Sequence, residues 1–536
     1  MEHYGLLGIV PPVLTIVLAF ATKDVVVSLF LGILSGALIT GGGNPAMALM
    51  NISDLLAGSL ADGWNIRIFL FCALLGGLVG MLTKTGSAGA FGRWASSKLK
   101  SSRGSQIMTF IFGVIIFIDD YFNSLSVGTV MRPISDKSKT SRAKLAYILD
   151  STAAPVCILA PISSWVVTVM SIVRDSEGFD KLGMSELSFF IRSIPFNLYA
   201  LTTLLMVLCV ILFKRDFGPM KASEALAKEG IFYNEEKYGA VSGNVREAVE
   251  SRAKPVDMLF PIVVLIASAV VFFPVTTWLG SIDGEKITSF AQAVASTSFG
   301  QAFNNADSSV ALCYSIILTI ALTYIFYLVR GLMTLQESGE ALRDGIKSMV
   351  PALIILTMAW SIGTIIKSPR SEGGLGLGIY LSAAVSDGGF PVGLLPPILF
   401  ILSALIAFAT GTSWGTFGIM IPLAMPIVTG LAAGSGFGQA ELVKAAMIAV
   451  TSVLSGAVWG DHASPISDTT ILSSTGASCP HLEHVATQLP YVAFVAVCSF
   501  CGFLIGGLTQ SLAFCWITDL IVFVSGFVVL PKVFKD

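Results

Sequence analysis

Apolar residues fill this chain in long runs, and polar residues collect between the runs or at a few points inside them. "LLGIVPPVLTIVLAFAT", "VVVSLFLGILSGALIT" and "LYALTTLLMVLCVILF" approach or reach the roughly 20 residues with which a helix crosses a bilayer. A membrane barrel would show short strands of alternating polarity, and this chain does not. The pattern predicts an all-α polytopic membrane protein with about 11 spans. One run is interrupted in an unusual way. In "FIFGVIIFIDDYFNSLSVGTVMR" (110–132) two carboxylates, Asp119 and Asp120, sit inside apolar sequence. An ionised group in hydrocarbon costs at least about 2.5 kcal/mol, so such residues are usually kept for a task.

Lysine and arginine sort the connections, because cytoplasmic loops are enriched in them. Segment 84–104 carries Lys84, Arg93, Lys98, Lys100 and Arg103, segment 132–144 carries Arg132, Lys137, Lys139, Arg142 and Lys144, and segment 214–254 carries eight basic residues. All three are expected inside. Segments 41–66 and 427–440 have none and 276–308 has only Lys286, so these are expected outside. Residues 105–131 therefore join two segments that both belong inside. They are too few for two crossings of about 20 residues each, so a re-entrant hairpin with "DDYFNS" at its tip is predicted. Irregular backbone at that depth is tolerated where it is buried in protein or lines a wet cavity, and either suits a binding site. The same count places the N-terminus outside and the C-terminal "PKVFKD" in the cytoplasm.

The two halves of the chain share an order of features. "LLGGLVGMLTKTGSAGAFGRWAS" (75–96) corresponds to "TMAWSIGTIIKSPRSEGGLGLGIYLS" (357–382), and "DDYFNSLSVG" (119–128) to "ATGTSWGTFG" (409–418), with Asn123 falling on Ser413. "LDSTAAPVCILAPISSW" (149–165) corresponds to "LSGAVWGDHASPISDT" (454–469), with Pro161 on Pro465. This order predicts two inverted-topology repeats with a site between them near the bilayer midplane, as in many secondary transporters. The first repeat is expected over 1–213, with hairpin 105–131 and broken helix 145–173. A cytoplasmic polar loop (214–255) leads to the second repeat over 256–509, with hairpin 394–425 and broken helix 440–475. One extra span (510–536) completes the chain.

Each half then offers a polar tip and an interrupted helix. The first tip holds Asp119, Asp120, Asn123 and Ser124, and its broken helix holds "DSTAAP" with Asp150, Ser151 and Thr152. The second tip, "TGTSWGT", holds Thr410, Thr412 and Ser413, and its broken helix "WGDHASPISDTT" holds Asp461, His462, Ser464 and Asp468. Pro155, Pro161 and Pro465 each remove a backbone donor and free a carbonyl. Carbonyls, hydroxyls and carboxylates are hard oxygen ligands, suited to an alkali cation. A Na⁺ site is expected at Asn123, Ser124, Thr412 and Ser413 with Asp120 and Asp461. Asp119 and Asp120 point about 100° apart on a helix, so one of them lines the site, with Asp120 favoured. Two adjacent acids in a low-dielectric cavity cannot both ionise easily, which lets a proton compete with Na⁺. Asp150 reads equally well as a cap for "STAAP" and His462 as a structural histidine. Asp468 also reads as a cap for "TTILSS" or the partner of a basic group. "CPHLEH", with His481, Glu483 and His484, reads as a solvated loop.

Composition narrows the classes. The chain is 54% hydrophobic and 12% charged, with mean hydropathy +0.81, far from the roughly 25% charged of a soluble domain. A net charge of -2 speaks against nucleic-acid binding. Seven of the eight cysteines lie in apolar runs, where Cys packs as a small hydrophobe. The N-terminal "MEHYGLLGIV" has no basic region before its apolar stretch and is expected to begin a first span.

"FIDDYFNSLSVGTVMRPISD", "AKLAYILDSTAAPV", "ATGTSWGTFGIMIPLAMPI" and "GDHASPISDTTILSSTGA" resemble the NhaC-type sodium/proton antiporter family. The resemblance implies opposing hairpins, Na⁺ near their tips, a homodimer with a scaffold part and a moving part, and a bacterial inner membrane. It also implies ion coordination by Asn123, Ser124, Thr412 and Ser413. No cofactor is expected beyond Na⁺ as coupling ion. Na⁺/H⁺ antiport by alternating access is the first expectation, supported by buried acids without a basic partner in the core motifs. Na⁺-coupled movement of a small organic solute is the alternative, with "TSWGT" and Trp165 as possible walls of a pocket. No enzyme is expected, since "DDY" and "AVWGD" lack the YD and GxGD pair of an intramembrane aspartyl protease. No pore-lining repeat suggests a channel.

Overall fold

The computed structural model describes residues 2–533 except 23, 97–100, 240, 242–251, 284–285, 305, 378 and 381–390. Lys98 and Lys100 of the first basic segment, part of the 214–255 loop, the end of the 357–382 correspondence and the last three residues of "PKVFKD" lie outside that range. Every regular element among the described residues is helical. Among the described residues, eight helices are long and apolar enough to cross a membrane, or up to ten if each of two bent pairs is one span. Two shorter apolar helices, Gly5–Thr15 and Val26–Thr40, add to these. The chain is a multi-pass integral membrane protein.

The first hairpin is made of Ser102–Ile115 and Asp120–Lys137. Ser102 meets Thr140 at 2.8 Å, Ser105 meets Ser135 at 3.4 Å, and Asn123 reaches the Gly113 carbonyl at 2.7 Å. Pairing that runs forward along one arm and backward along the other makes the arms antiparallel. The first arm has 14 residues, about 21 Å at 1.5 Å per residue, short of the roughly 30 Å hydrocarbon core. The second hairpin, Leu395–Thr410 and Ser413–Gly434, turns at Gly411, whose φ of +72 suits a residue without Cβ. Its second arm continues past residue 425 to Gly434 and, at 22 residues, is long enough to cross.

The broken helices follow from proline. Arg142–Thr152 stops before Pro155, gives one turn at Ala154–Cys157, and resumes as Ser164–Asp175, capped by Ser163, whose Oγ accepts from the Val166 N–H at 3.1 Å. Gln439–Ala463 stops two residues before Pro465, and Asp468–Ala477 follows. Phe400 and Ala404 of the second hairpin lie against Gly456 and Gly460, where an added Cβ would sit 2.2 and 2.3 Å from their carbonyl oxygens. Both contacts advance together along the two chains, so these helices run parallel with their backbones nearly touching.

Each hairpin also packs on the broken helix of the other half. The second arm of the first hairpin packs on Asp468–Ala477, where Gly128 and Gly476 meet backbone to backbone. The second arm of the second hairpin packs on Ser164–Asp175. The 214–239 region is docked rather than free. Helix Pro219–Glu229 packs on Arg142–Thr152 and on the long helix His481–Thr509. Lys144, 1% exposed, pairs with Asp216, Phe217 stacks on Tyr491 at 4.2 Å, and the Ser141 N–H and Oγ donate to Glu224 at 2.8 and 2.7 Å. The C-terminal helix Leu512–Val533 lies along His481–Thr509, and its buried Asp519 accepts from Thr202 at 2.9 Å.

Candidate functional site

The break after Ile115 points the first turn of Asp120–Lys137 into the protein interior. Asp120 and Asn123 lie one turn apart on one face of that helix, and both are buried. Asn123 Nδ2 is ringed by the carbonyls of Gly113, Ile116 and Thr152 at 2.7, 3.0 and 2.9 Å. Three acceptors around the amide nitrogen fix the amide orientation, and its Oδ1 is left with no donor. Asp120 Oδ1 accepts from Trp165 Nε1 at 2.9 Å, while Oδ2 has no partner. Ser124 meets Ser473 of the other half at 3.1 Å. Asp119 precedes the helix, is buried, and its carbonyl accepts from the Asn123 N–H at 3.0 Å.

The second tip is tied down by Asp461. The Ser413 N–H and Oγ both donate to Asp461 Oδ2, at 3.1 and 2.7 Å, and Oδ1 accepts from Ser467 and from Thr469 at 3.3 Å. Four donors satisfy this carboxylate in place and set three hydroxyl oxygens around it. The tips meet through aromatic rings. Trp165, bonded to Asp120, lies edge-on to Trp414 and Phe417 with centroids 6.0 and 5.8 Å away, and Trp414 follows Ser413 directly.

A second polar cluster adjoins this one. Asp150 is inside its helix rather than capping "STAAP", and its Oδ2 accepts from His484 Nε2 at 3.1 Å and Gln488 Nε2 at 2.9 Å. Gln488 Nε2 also donates to the His462 carbonyl at 2.8 Å. The His462 ring lies between Ser151 Oγ at 3.3 Å and Tyr199 Oη at 2.9 Å. Asp150 Oδ1, His484 Nδ1 and Gln488 Oε1 are buried without a partner.

Other residues marked from sequence stand at the edge of these clusters. Thr410 and Ser464 donate to the carbonyls of Ile406 and Phe408, at 2.9 and 2.8 Å. Thr412 is the half-buried cap residue of Ser413–Gly434, and its side chain makes no cap bond. Thr152 donates to Ile148 at 2.7 Å and contributes its carbonyl to Asn123. Asp468 is the first residue of its helix rather than its cap and accepts from Tyr121 at 3.1 Å, and among the described residues it pairs with no base.

"CPHLEH" is not a solvated loop. His481 begins a 29-residue helix, Glu483 and His484 are fully buried, and Glu483 accepts from Ser223 and from the Asn234 N–H, at 2.7 and 2.9 Å. The docked 214–239 region covers these side chains, which local polarity does not reveal. A signal was present in "HLEHVATQ": His481, His484 and Gln488 recur at spacings of three and four ahead of an apolar helix, a stripe on one face.

A polar cavity of about 680 Å³ lies apart from both clusters. It is lined by Asp54, Asp62, Asn65, Asp175 and Lys367 among others.

The profile of the Na⁺/H⁺ antiporter family matches residues 156–508. An uncharacterized protein of Haemophilus influenzae is 37% identical over 509 residues, covering 94% of this chain and 91% of its own. The malate-2H(+)/Na(+)-lactate antiporter of Bacillus subtilis is 32% identical over 183 residues, 32% of this chain and 34% of its own. The solved structure of Neisseria gonorrhoeae MtrF, described as illuminating a class of antimetabolite efflux pumps, aligns over 89% of this chain and 85% of its own. Its identity is 14% and its TM-score 0.48.

Proposed function

The chain belongs to the Na⁺/H⁺ antiporter family, and from that premise we propose that this membrane transporter exchanges Na⁺ for H⁺ by alternating access. Na⁺ binds where the hairpin tips meet the broken helices. One observation carries this reading: Asp120 Oδ2 and Asn123 Oδ1, one turn apart and buried, have no donor to satisfy them. Buried polar atoms are nearly always paired, and a pair of oxygens held rigidly without donors suits a hard cation. The carboxylate supplies the charge that offsets the loss of the ion's hydration shell. Hydroxyls of Ser124, Ser413 and Ser473 and the aligned Asp461 complete an oxygen-rich surround, and among the described residues no Lys or Arg is bonded to either carboxylate in it.

Two opposed halves, each packed on the other through its hairpin, supply the moving parts. The alignment of Asn123 with Ser413 and Pro161 with Pro465 puts Gly113 and Thr152 on position 403 and Gly456. An added Cβ at Gly113 would lie 2.0 Å from Thr152, and one at Gly456 would lie 2.2 Å from the Phe400 carbonyl and 3.1 Å from the Ala404 nitrogen, so a close approach recurs within a turn of the matched places. This supports inverted repeats, with the basic connections in the cytoplasm of a bacterial cell and the ion reached from alternate sides.

A second reading is favoured by the rings of Trp165, Trp414 and Phe417 beside Asp120, which offer an apolar wall to an organic solute. The lactate named for the Bacillus subtilis relative is a solute of that kind. Proteoliposomes with an imposed Na⁺ gradient and a lumenal pH dye separate the two. Antiport requires a Na⁺-dependent pH change that Asp120→Asn abolishes. Accumulation of labelled carboxylates or amino acids without any pH change would replace it by solute coupling.

A further inference from the structure

The coupling proton needs a site of its own, and the adjacent acids Asp119 and Asp120 are the obvious candidates from sequence. The structure points elsewhere. We propose that the proton is carried by His484, at its Nδ1, held in place by Asp150 and Gln488. This deepens, and rests on, the reading of the chain as a Na⁺/H⁺ exchanger.

Four observations assemble the site. Asp150 Oδ2, 1% exposed, faces His484 Nε2 at 3.1 Å, and a carboxylate accepts, so Nε2 carries its hydrogen. That tautomer leaves Nδ1 as a bare lone pair, and Nδ1 is buried with no donor near it. The amide of Gln488, whose nitrogen donates to Asp150 and to the His462 carbonyl, presents an Oε1 with no partner either. A proton arriving at Nδ1 converts a carboxylate beside a neutral ring into a carboxylate–imidazolium pair. The buried unit then goes from net negative to neutral, which burial favours. No other covalent bond is made or broken.

The placement also supplies the coupling. Thr152, two residues after Asp150, gives its carbonyl to Asn123, and Ser151 between them meets His462. His462 in turn follows Asp461, which holds the second hairpin tip. The proton cluster and the tip cluster therefore adjoin along the ends of the same two helices, Arg142–Thr152 and Gln439–Ala463. A Na⁺ among Asp120, Asn123 and Asp461 adds positive charge one residue from His462 and, through the Thr152 carbonyl that Asn123 holds, two residues from Asp150, and it disfavours the imidazolium behind them. Other groups facing the pair are His462, Tyr147 and Tyr199, with Lys144, Glu224 and Glu483 bonded to partners nearer the docked region. Na⁺ binding and H⁺ binding thus alternate without sharing a ligand.

The test is proton release from purified, unsubstituted protein in weakly buffered detergent. A pH dye follows addition of NaCl against choline chloride, and calorimetry follows Na⁺ binding. The unsubstituted protein is expected to release protons as it binds Na⁺. Asp150→Asn and His484→Gln are each expected to lower release per bound Na⁺ at least tenfold, whereas Asp120→Asn loses Na⁺ binding itself. Undiminished release in both Asp150→Asn and His484→Gln overturns the proton site and leaves the exchange reading standing. Absence of both Na⁺ binding and release in the unsubstituted protein overturns the exchange reading and this inference with it. If either variant fails to elute as folded protein, labelled-imidazole NMR of the unsubstituted chain decides. The His484 titration must move when Na⁺ is added, and a fixed titration overturns the proposal.

Discussion

Trp165 donates its indole N–H to Asp120 at 2.9 Å, so a side chain of the first broken helix holds the acid of the first hairpin in place. The same ring touches Trp414 of the second hairpin edge-on. A hydrogen bond to a charged group contributes about 1.5–3 kcal/mol, and about 1.4 kcal/mol is a factor of ten in affinity. Trp165→Phe keeps the ring contact and removes the donor. Na⁺ half-saturation of exchange is expected to rise by roughly tenfold or more in proteoliposomes, with the melting temperature of the detergent-purified protein little changed. An unaltered half-saturation would mean that Asp120 takes no part in binding.

Ser413 and Asp461 allow a graded comparison. Ser413→Ala removes one of two donors from Asp461 Oδ2 and leaves the backbone N–H in place. Asp461→Asn removes the charge. The first is expected to weaken Na⁺-dependent exchange several-fold, at about 1 kcal/mol for one hydrogen bond, and the second to abolish it. Equal effects from the two would contradict an electrostatic role for Asp461.

Gly128 and Gly476 leave no room between the helices that carry them. A Cβ on Gly128 would lie 2.6 Å from backbone of Gly476, and one on Gly476 would lie 2.5 Å from the Ser124 carbonyl. Gly476→Ala is expected to cost about 1–3 kcal/mol and to lower the detergent melting temperature by several degrees. Gly280→Ala, where an added Cβ meets nothing within 4 Å, serves as the control and is expected to melt as the unsubstituted protein does.

Glu224 lies in the docked 214–239 region, and burial raises its pKa above the ordinary 4.5, against the lowering pull of nearby Lys144. A folded state that holds a proton longer than the unfolded one gains stability as pH falls. The contribution is complete below the unfolded value and fades as pH rises through the folded one. Glu224→Gln is expected to flatten the pH dependence of the melting temperature above pH 4.5, read by thermal unfolding between pH 4.5 and 7.5. An unchanged slope would place the titration elsewhere.

Local sequence disclosed what was locally anomalous. Asp119 and Asp120 stand out because they are charges in an apolar run, and Pro155 and Pro465 mark breaks because a proline limits its own helix and the residue before it. The partners of those residues were beyond local reach. His484 lies 334 positions from Asp150, and Ser473 lies 349 from Ser124. Neither pairing leaves a trace in periodicity. Trp165 drew notice as a pocket wall, yet its link to Asp120 depends on how the chain folds across the break. "CPHLEH" misled because its cover comes from a distant segment whose own polarity reads as solvent-facing.

That cover has a mechanical meaning. Through Lys144 with Asp216, Arg142 with Phe232, and Glu483 with Ser223 and Asn234, the 214–239 region grips the starts of two helices, one bearing Asp150 and the other His484. The first broken helix reaches its far end at Asp175, on the wall of the 680 Å³ polar cavity. Asp150 and His484 are thus held together from outside their own helices, by a segment that supplies no residue to either cluster.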